Sequence, residues 1–393
     1  MRVRATVTAA AALLLAAACA KDPGDSGDLF PVDAAACQVV DGASTAPALQ
    51  VDAGPGINCA ASCDFAGGIA VGCATRFQFG VNYAWKNFGY DFGGSPTTGG
   101  GGVSRDCAGK VAADLADMRA NGVDVVRWWV WPRFGAGVTF DDSSTALGLG
   151  GTTLDDLDAA LALAAANDLH IQFCLFSFDN FKPTTGANRS LQPVITDPAK
   201  RAALIEQAVR PFVRAANVSP YWDRVVSWDV INEPEWAISG QNPYGDPPYM
   251  PQMSLQLVTH ADMEAFVSAM IDAIHAESPL PVTVGSAGAE WPKAWSNVPV
   301  DYYTIHLYDW LNAHYPYSST PAALGYVGKP LVVGEFPLGG LTGVPYAQLL
   351  ASWYANGYAG AMAWAVTDTS FNWPANKAGV KTFADSAGCA VSF

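Results

Sequence analysis

The sequence predicts an α/β fold, a closed (β/α)8 barrel of the TIM type over residues 76–393, preceded by a disulfide-stapled segment. Eight short β-rich runs follow one another from Arg76 onward. Amphipathic segments of helical period separate several of them. Several runs are apolar on both faces, as buried parallel strands are. This alternation builds a parallel sheet covered by helices, and eight repeats close it into a barrel. A doubly wound open sheet is the rival. The first run, however, leads into Trp85-Lys86-Asn87 rather than a Gly-rich helix start.

The runs occupy residues 77–83, 123–131, 169–176, 225–232, 281–286, 302–308, 330–336 and 360–366. Val111, Leu115 and Met118 share a helical face after the first. Asp197-Pro198 makes an N-cap and first-turn pair, and Leu204, Ala208, Val209 and Phe212 form a stripe behind it. The clearest stripe is Met263, Phe266, Val267, Met270, Ile271 and Ile274. Residues 374–385 are the only candidate for a last helix. Trp228 lies inside a strand and Trp353 inside a helix, so both are assigned to the core. Trp128 and Trp129 are adjacent, so at most one faces the barrel interior.

Half of the 393 residues are apolar and 15% are charged, which excludes a disordered or charge-driven chain. The net charge of −15 would repel a phosphate backbone, so no nucleic-acid partner is expected. Arg2, Arg4 and the short apolar run Ala9–Ala18 read as a secretion signal, too short to span a bilayer. Ala16-Ala17-Ala18 before Cys19 resembles a lipoprotein cleavage box. Residues 1–19 are therefore expected to be a signal, with a lipid anchor at Cys19 on the bacterial envelope. Residues 20–75 are expected to be a tether and Cys-rich segment at the barrel's entrance.

Cys174 sits in an apolar run and is expected to be a buried free thiol. Cys37, Cys59, Cys63, Cys73, Cys107 and Cys389 suit three disulfides with the pairing open. Cys59 and Cys63 have zinc-like spacing, but no His lies nearby.

Barrel enzymes carry their working groups at the C-terminal strand ends. The fourth run ends in Asn232-Glu233-Pro234, the seventh in Gly334-Glu335-Phe336. A carboxylate closing a buried strand is costly unless it has a use. Strands four and seven lie nearly opposite in an eight-strand ring, so the two side chains can face across one cleft. Two such carboxyls suit hydrolysis of a glycosidic bond, one protonated and donating, the other ionised and attacking.

The run Trp228, Asn232, Glu233, Pro234 resembles the acid/base strand of clan A glycoside hydrolases. It is especially similar to that of glycoside hydrolase family 5, the cellulase and mannanase family. Arg127 on strand two matches the family's Arg that pairs with the nucleophile. His306 and Tyr308 match the pair that lines the subsite and holds the nucleophile, and Trp364 matches the aromatic platform. The resemblance implies that Glu233 is the general acid/base, that Glu335 is the nucleophile and that Asn232 bonds the sugar's 2-hydroxyl. It also implies retention, with the carboxyls roughly 5–5.5 Å apart. Many members carry a His at the end of strand three. Here Phe176-Ser177-Phe178-Asp179-Asn180 stands instead, and the polar contact is expected from Asp179 or Asn180. Arg127-Trp128-Trp129 and the run from His306 to Trp310 look more like the mannanase branch.

Trp85, Trp131, Trp236, Trp310, Trp364 and Trp373 fall at or just past strand ends, where rings can stack on neutral sugars. Trp85, Trp236, Trp310 and Trp364 are the expected substrate-binding subset. Val284-Gly285-Ser286-Ala287-Gly288 misses the esterase-elbow spacing by one residue. The five His show no metal-ligand spacing, with His260 and His314 read as loop residues. No cofactor or metal is expected, and the chain is read as a monomer. The expected activity is retaining hydrolysis of a neutral β-linked polysaccharide, mannan first and β-1,4-glucan second. A glycan-binding barrel without catalysis and a metal-dependent barrel hydrolase are the alternatives. Loops 85–103 and 237–260 would decide endo or exo action.

Overall fold

A computed structural model of the chain describes residues 57–95, 101–186 and 188–393. The signal, the Cys19 anchor, most of the tether and Cys37 lie outside the described residues. Eight strands form the barrel: β1 (Gln78–Asn82), β2 (Val125–Trp129), β3 (His170–Ser177), β4 (Val225–Asn232), β5 (Val282–Ser286), β6 (Tyr303–His306), β7 (Leu331–Glu335) and β8 (Gly360–Ala363). They pair in sequence order, all parallel, and β8 closes on β1. Seven of the eight runs read from the sequence contain one of them whole, and β3 extends one residue past its run, to Ser177. β3 and β4 are buried along their whole length, as the doubly apolar patterns require.

Helices α1 (Lys110–Ala120), α2 (Thr153–Ala166), α3 (residues 198–218), α4 (His260–His275), α5 (Tyr346–Ala355) and α6 (Trp373–Ala387) cover the barrel. The stripes on α1, α3 and α4 are all buried. Asp197 Oδ1 accepts from the Ala199 backbone N–H at 2.9 Å and starts α3, which carries a π-turn at Ile205–Val209. The covering layer is incomplete. After β5 and β6 the chain forms turns, with only Asp309–Asn312 and Pro321–Leu324 as short helical pieces. Trp291, Trp295 and Tyr326 are buried there in place of a helix. His260 is not a loop residue. It opens α4, and its ring stacks against Tyr249 and Trp295, pinning loop 237–260.

The described part of the Cys-rich segment, residues 57–75, lies at the opposite end from the one expected. Its hairpin (Ile69–Val71 with Ala74–Arg76) runs directly into the N-terminal end of β1, so it closes the barrel floor, away from the C-terminal strand ends. Cys59 bonds Cys73, and Cys63 bonds Cys389. Cys107 is also disulfide-bonded, and Cys174 is a buried free thiol. Fully buried Arg76 donates to Asp64 at 2.7 Å, to the Ser392 carbonyl at 2.8 Å and to the Asn58 carbonyl. The Phe393 backbone N–H reaches Asp124, the residue before β2. Residues 388–393 thus tie β1 and β2 together from below.

The Cys63–Cys389 bridge closes a loop of 326 residues, so its loss should free much chain entropy in the unfolded state. A C63S/C389S variant should lose about 2–4 kcal/mol in urea unfolding. Its far-ultraviolet dichroism should stay that of the folded protein.

Candidate active site

Alternation along β2 decides which side chains enter the barrel. Arg127 and Trp129 point inward. Trp128 points outward, packs on Tyr83 and Phe92, and donates its indole N–H to Asp91 at 2.9 Å. Arg127 is fully buried and serves two carboxylates, two amides and, at 3.6 Å, the Cys174 sulfur. Its Nε and Nη2 donate to Asp229 Oδ2 at 3.0 and 2.7 Å. Its Nη1 donates to Glu335 Oε1 at 2.7 Å and to Asn82 Oδ1 at 2.9 Å. Nη2 also donates to Asn232 Oδ1 at 2.9 Å. A Cβ on Gly285 would stand 2.9 Å from both Arg127 Nη2 and Asp229 Oδ2, so this glycine leaves room for the pair.

Glu335, the last residue of β7, is held at both oxygens. Arg127 takes Oε1, and the Tyr308 hydroxyl donates to Oε2 at 2.7 Å. Burial pushes its carboxyl above the usual range, while His306 and Arg127 pull it back.

Glu233 follows β4 in the left-handed region, with φ 49°. That conformation is costly for a residue with a Cβ and clusters at functional sites. Its backbone N–H is tied to the Gly285 carbonyl at 2.6 Å, and Pro234 turns the chain away. Glu233 Oε2 accepts from the Trp236 indole at 2.9 Å, and Oε1 lies 3.0 Å from His306 Nδ1. Burial pushes its carboxyl up to about 7. Burial also pushes His306 down to about 4, so the imidazole is neutral at neutral pH. Of the two carboxyls, only Glu335 touches a permanent cation.

The expected aromatics divide. Trp85, Trp129 and Trp364 meet in one cluster, with ring centroids 5.2–5.8 Å apart, where β1, β2 and β8 end. Trp236 and Trp310 meet at 5.4 Å on the β4 and β6 side, and Trp310 is 46% exposed. Two aromatic walls therefore flank the carboxyls. Trp131 and Trp373 are not in either wall. Trp131 is buried against Phe176 and Phe212, and Trp373 opens α6 and donates to Asp117 on α1. Trp228 and Trp353 are core residues, as expected.

Asp179 and Asn180 lie in the Phe178–Phe181 turn after β3, both buried. Three residues that sequence reasoning missed complete the site. Asn82 and Asp229 complete the Arg127 cage, and Trp129 completes an aromatic wall. Asp229 carried a readable signal, an acidic residue inside a strand and on the face of Glu233. Glu235, two residues beyond Glu233, is fully buried and accepts from Ser286, the Ala287 backbone and Trp295 at 2.6–3.0 Å. It fastens the turn that carries Trp236.

Ligand atoms of Glu233, His306 and Glu335 all lie within 4.8 Å of one another, close enough to hold a metal ion. The Arg127 guanidinium already neutralises Glu335 and would repel a cation there, so the donor set fits a metal poorly.

No family model matches the chain. It is 26% identical over 327 residues to a mannan endo-1,4-beta-mannosidase of Mytilus edulis, covering 75% of this chain and 85% of that one. It is 26% identical over 328 residues to a mannan endo-1,4-beta-mannosidase of Cryptopygus antarcticus, covering 73% and 80%. An endo-1,4-beta-mannanase structure from Eisenia fetida shares the fold with a TM-score of 0.67 at 24% identity, over 81% of this chain and 93% of that one. Fold and relatives define the class: the chain is an O-glycosyl hydrolase resembling glycoside hydrolase family 5 of clan A. Within that class its similarity runs to mannan endo-1,4-beta-mannosidases over about three quarters of its length.

The Trp236 indole lowers the Glu233 pKa by bonding its charged form. In W236F the Glu233 midpoint should therefore move upward from about 7, read by carbon-13 NMR titration of the labelled carboxyl. An unchanged or lower midpoint would show that the indole does not hold the carboxylate.

Proposed function

We propose that the chain is a retaining endo-β-1,4-mannanase working by double displacement. The observation that carries this reading is the unequal treatment of two carboxyls across one short gap. Glu335 is clamped by Arg127 and Tyr308, and Glu233 is buried against an indole and a neutral imidazole. Their nearest oxygens lie within 4.8 Å. That favours the roughly 5–5.5 Å retaining arrangement over the wider inverting one, which must admit a water.

In this mechanism Glu335 is ionised and attacks the anomeric carbon. Arg127 and Tyr308 aim its oxygens and stabilise the charge before attack. Protonated Glu233 donates to the leaving glycosidic oxygen, and the departing sugar carries that proton. A glycosyl ester then joins the sugar to Glu335. Glu233, now ionised, takes a proton from water as the water oxygen bonds the anomeric carbon and the bond from that carbon to Glu335 breaks, which restores both groups. The Asn232 amide, oriented by Arg127, bonds the sugar's 2-hydroxyl. Trp364 is the platform beneath the reacting sugar, with Trp85 beside it, and Trp236 and Trp310 receive the other side of the chain.

Mannan as substrate rests on the relatives' activity and on the two Trp walls, which suit neutral sugars. Secretion and a lipid anchor at Cys19 belong to the same proposal. The first 19 residues support them, as do the disulfides, which persist in oxidising compartments. Among the described residues no helix is long and apolar enough to cross a membrane.

E335Q and E233Q should each fold normally and lose at least about a thousandfold in kcat on mannan, about 4 kcal/mol of barrier. A reducing-end assay against mannan, glucomannan, carboxymethylcellulose, xylan and laminarin checks this. Near-full activity of E335Q would reject the assignment. Preference for carboxymethylcellulose would favour the glucanase reading, and binding without release would favour a binder. Glu233 must hold its proton to act as acid. Activity should therefore fall as pH rises through about 7, giving the alkaline limb of the kcat/KM profile.

A further inference from the structure

Beside the carboxyls lies a second concavity of about 300 Å³, between the ends of β2 and β3. Arg133, Asp179, Asn180, Lys182, Asn188 and Arg189 line it. It is close to the chemistry. β3 pairs Ser177 with Asn232, two residues before Asp179. The Phe178–Phe181 turn packs against the Pro234–Ala237 turn that carries Trp236. The Gln256 backbone N–H ties loop 237–260 to the Phe181 carbonyl at 2.8 Å.

The lining is unlike a neutral sugar site. It places three cations around one carboxylate, in a chain whose net charge is −15. That carboxylate is already used. Asp179 Oδ1 lies 2.9 Å from Lys182 Nζ, and Oδ2 accepts from the Ser177 hydroxyl at 3.2 Å. Asn180 is 2% exposed, and its Oδ1 accepts from the Ser177 backbone N–H. Its Nδ2 has no partner among the described residues. A buried donor without an acceptor is costly until something supplies one. Sugar hydroxyls need no charged partner, whereas three of the polar side chains in this wall are cationic. Guanidinium forks match the paired oxygens of a carboxylate or sulfate.

We propose that this pocket is a subsite for an anionic group carried by the glycan, a uronate carboxylate or a sulfate ester. Arg133, Lys182, Arg189 and the Asn180 amide would hold it beside Glu233. The inference rests on the glycosidase reading of the neighbouring cleft. The acidic surface disfavours a polyanion but not one charged substituent met by local cations. The enzyme thereby takes acid-decorated mannan in preference to the plain polymer.

The test compares three manno-oligosaccharides of equal length, one plain, one with a single glucuronate branch and one with a single sulfate. Substrates are offered to wild type, R189Q and K182Q, with melting temperatures as a check on folding. R189Q is the cleaner variant, because Arg189 makes a long ion pair, 3.8 Å, to exposed Asp142. Wild type should prefer a charged substrate, and the better of the two identifies the group. R189Q should lower kcat/KM on that substrate about tenfold, the loss of one charge-assisted bond, and leave the plain one within about twofold. Salt should weaken the preference. Equal loss on all three substrates, or no loss on any, would overturn the subsite. If wild type cleaves none of them, the mannanase reading fails on its own. Calorimetry with the charged oligosaccharides then decides the pocket. Binding to wild type that R189Q abolishes sustains it, and no binding overturns it.

Discussion

One buried guanidinium organises the upper half of this barrel. Arg127 has no access to water, and an uncompensated buried charge costs about 3–5 kcal/mol. The fold meets that cost with two carboxylates and two amides drawn from β1, β4 and β7. The same contacts fix Asn232 and Glu335 relative to one another. Asp229 extends the cage to β5 through the Gly285 backbone N–H at 3.0 Å. The Gly285 carbonyl in turn holds the backbone of Glu233. A single charge requirement therefore positions both carboxyls, although only Glu335 touches the Arg.

The separation of their environments follows from the same arrangement. Glu335 meets a full cation at 2.7 Å, while Glu233 meets only neutral donors and a protein wall. Burial raises both carboxyls, and only at Glu335 does a neighbouring cation pull the shift back at contact distance. Stability and chemistry also occupy opposite ends of the barrel. The floor is closed by disulfides, Arg76 and the last residues of the chain. The C-terminal rim carries the carboxyls, the Trp walls and the long loops.

Much of this was legible in the sequence because burial is expensive for particular residue types. Eight β-rich runs, several of them apolar on both faces, left few architectures, and a carboxylate at the end of two of them had to be explained. Glu233, Glu335 and Arg127 were readable on those grounds and by resemblance. Asp229 and Asn82 were passed over. Asp229 was readable as an acidic residue inside an apolar strand, whereas the role of Asn82 appears only once the register is known. Trp131 sits just past a strand end like Trp364, and only the direction of the side chain separates core from cleft, while Trp373 lies farther on, at the start of α6. The position of the Cys-rich segment was misjudged, because sequence order does not tell which end of a barrel a preceding hairpin closes. The missing helices have a local cause, with Pro292 and Pro299 interrupting any helical period after β5, and Pro316 and Pro321 after β6.

The central claim is that the Arg127-held Glu335 attacks the sugar directly while Glu233 supplies the proton. Proton NMR of the first product formed from a manno-oligosaccharide tests it most directly, before mutarotation sets in. Double displacement at these two carboxyls predicts that the new reducing end appears first as the β-anomer. Initial appearance of the α-anomer would mean a single inverting displacement by water, and would contradict the account.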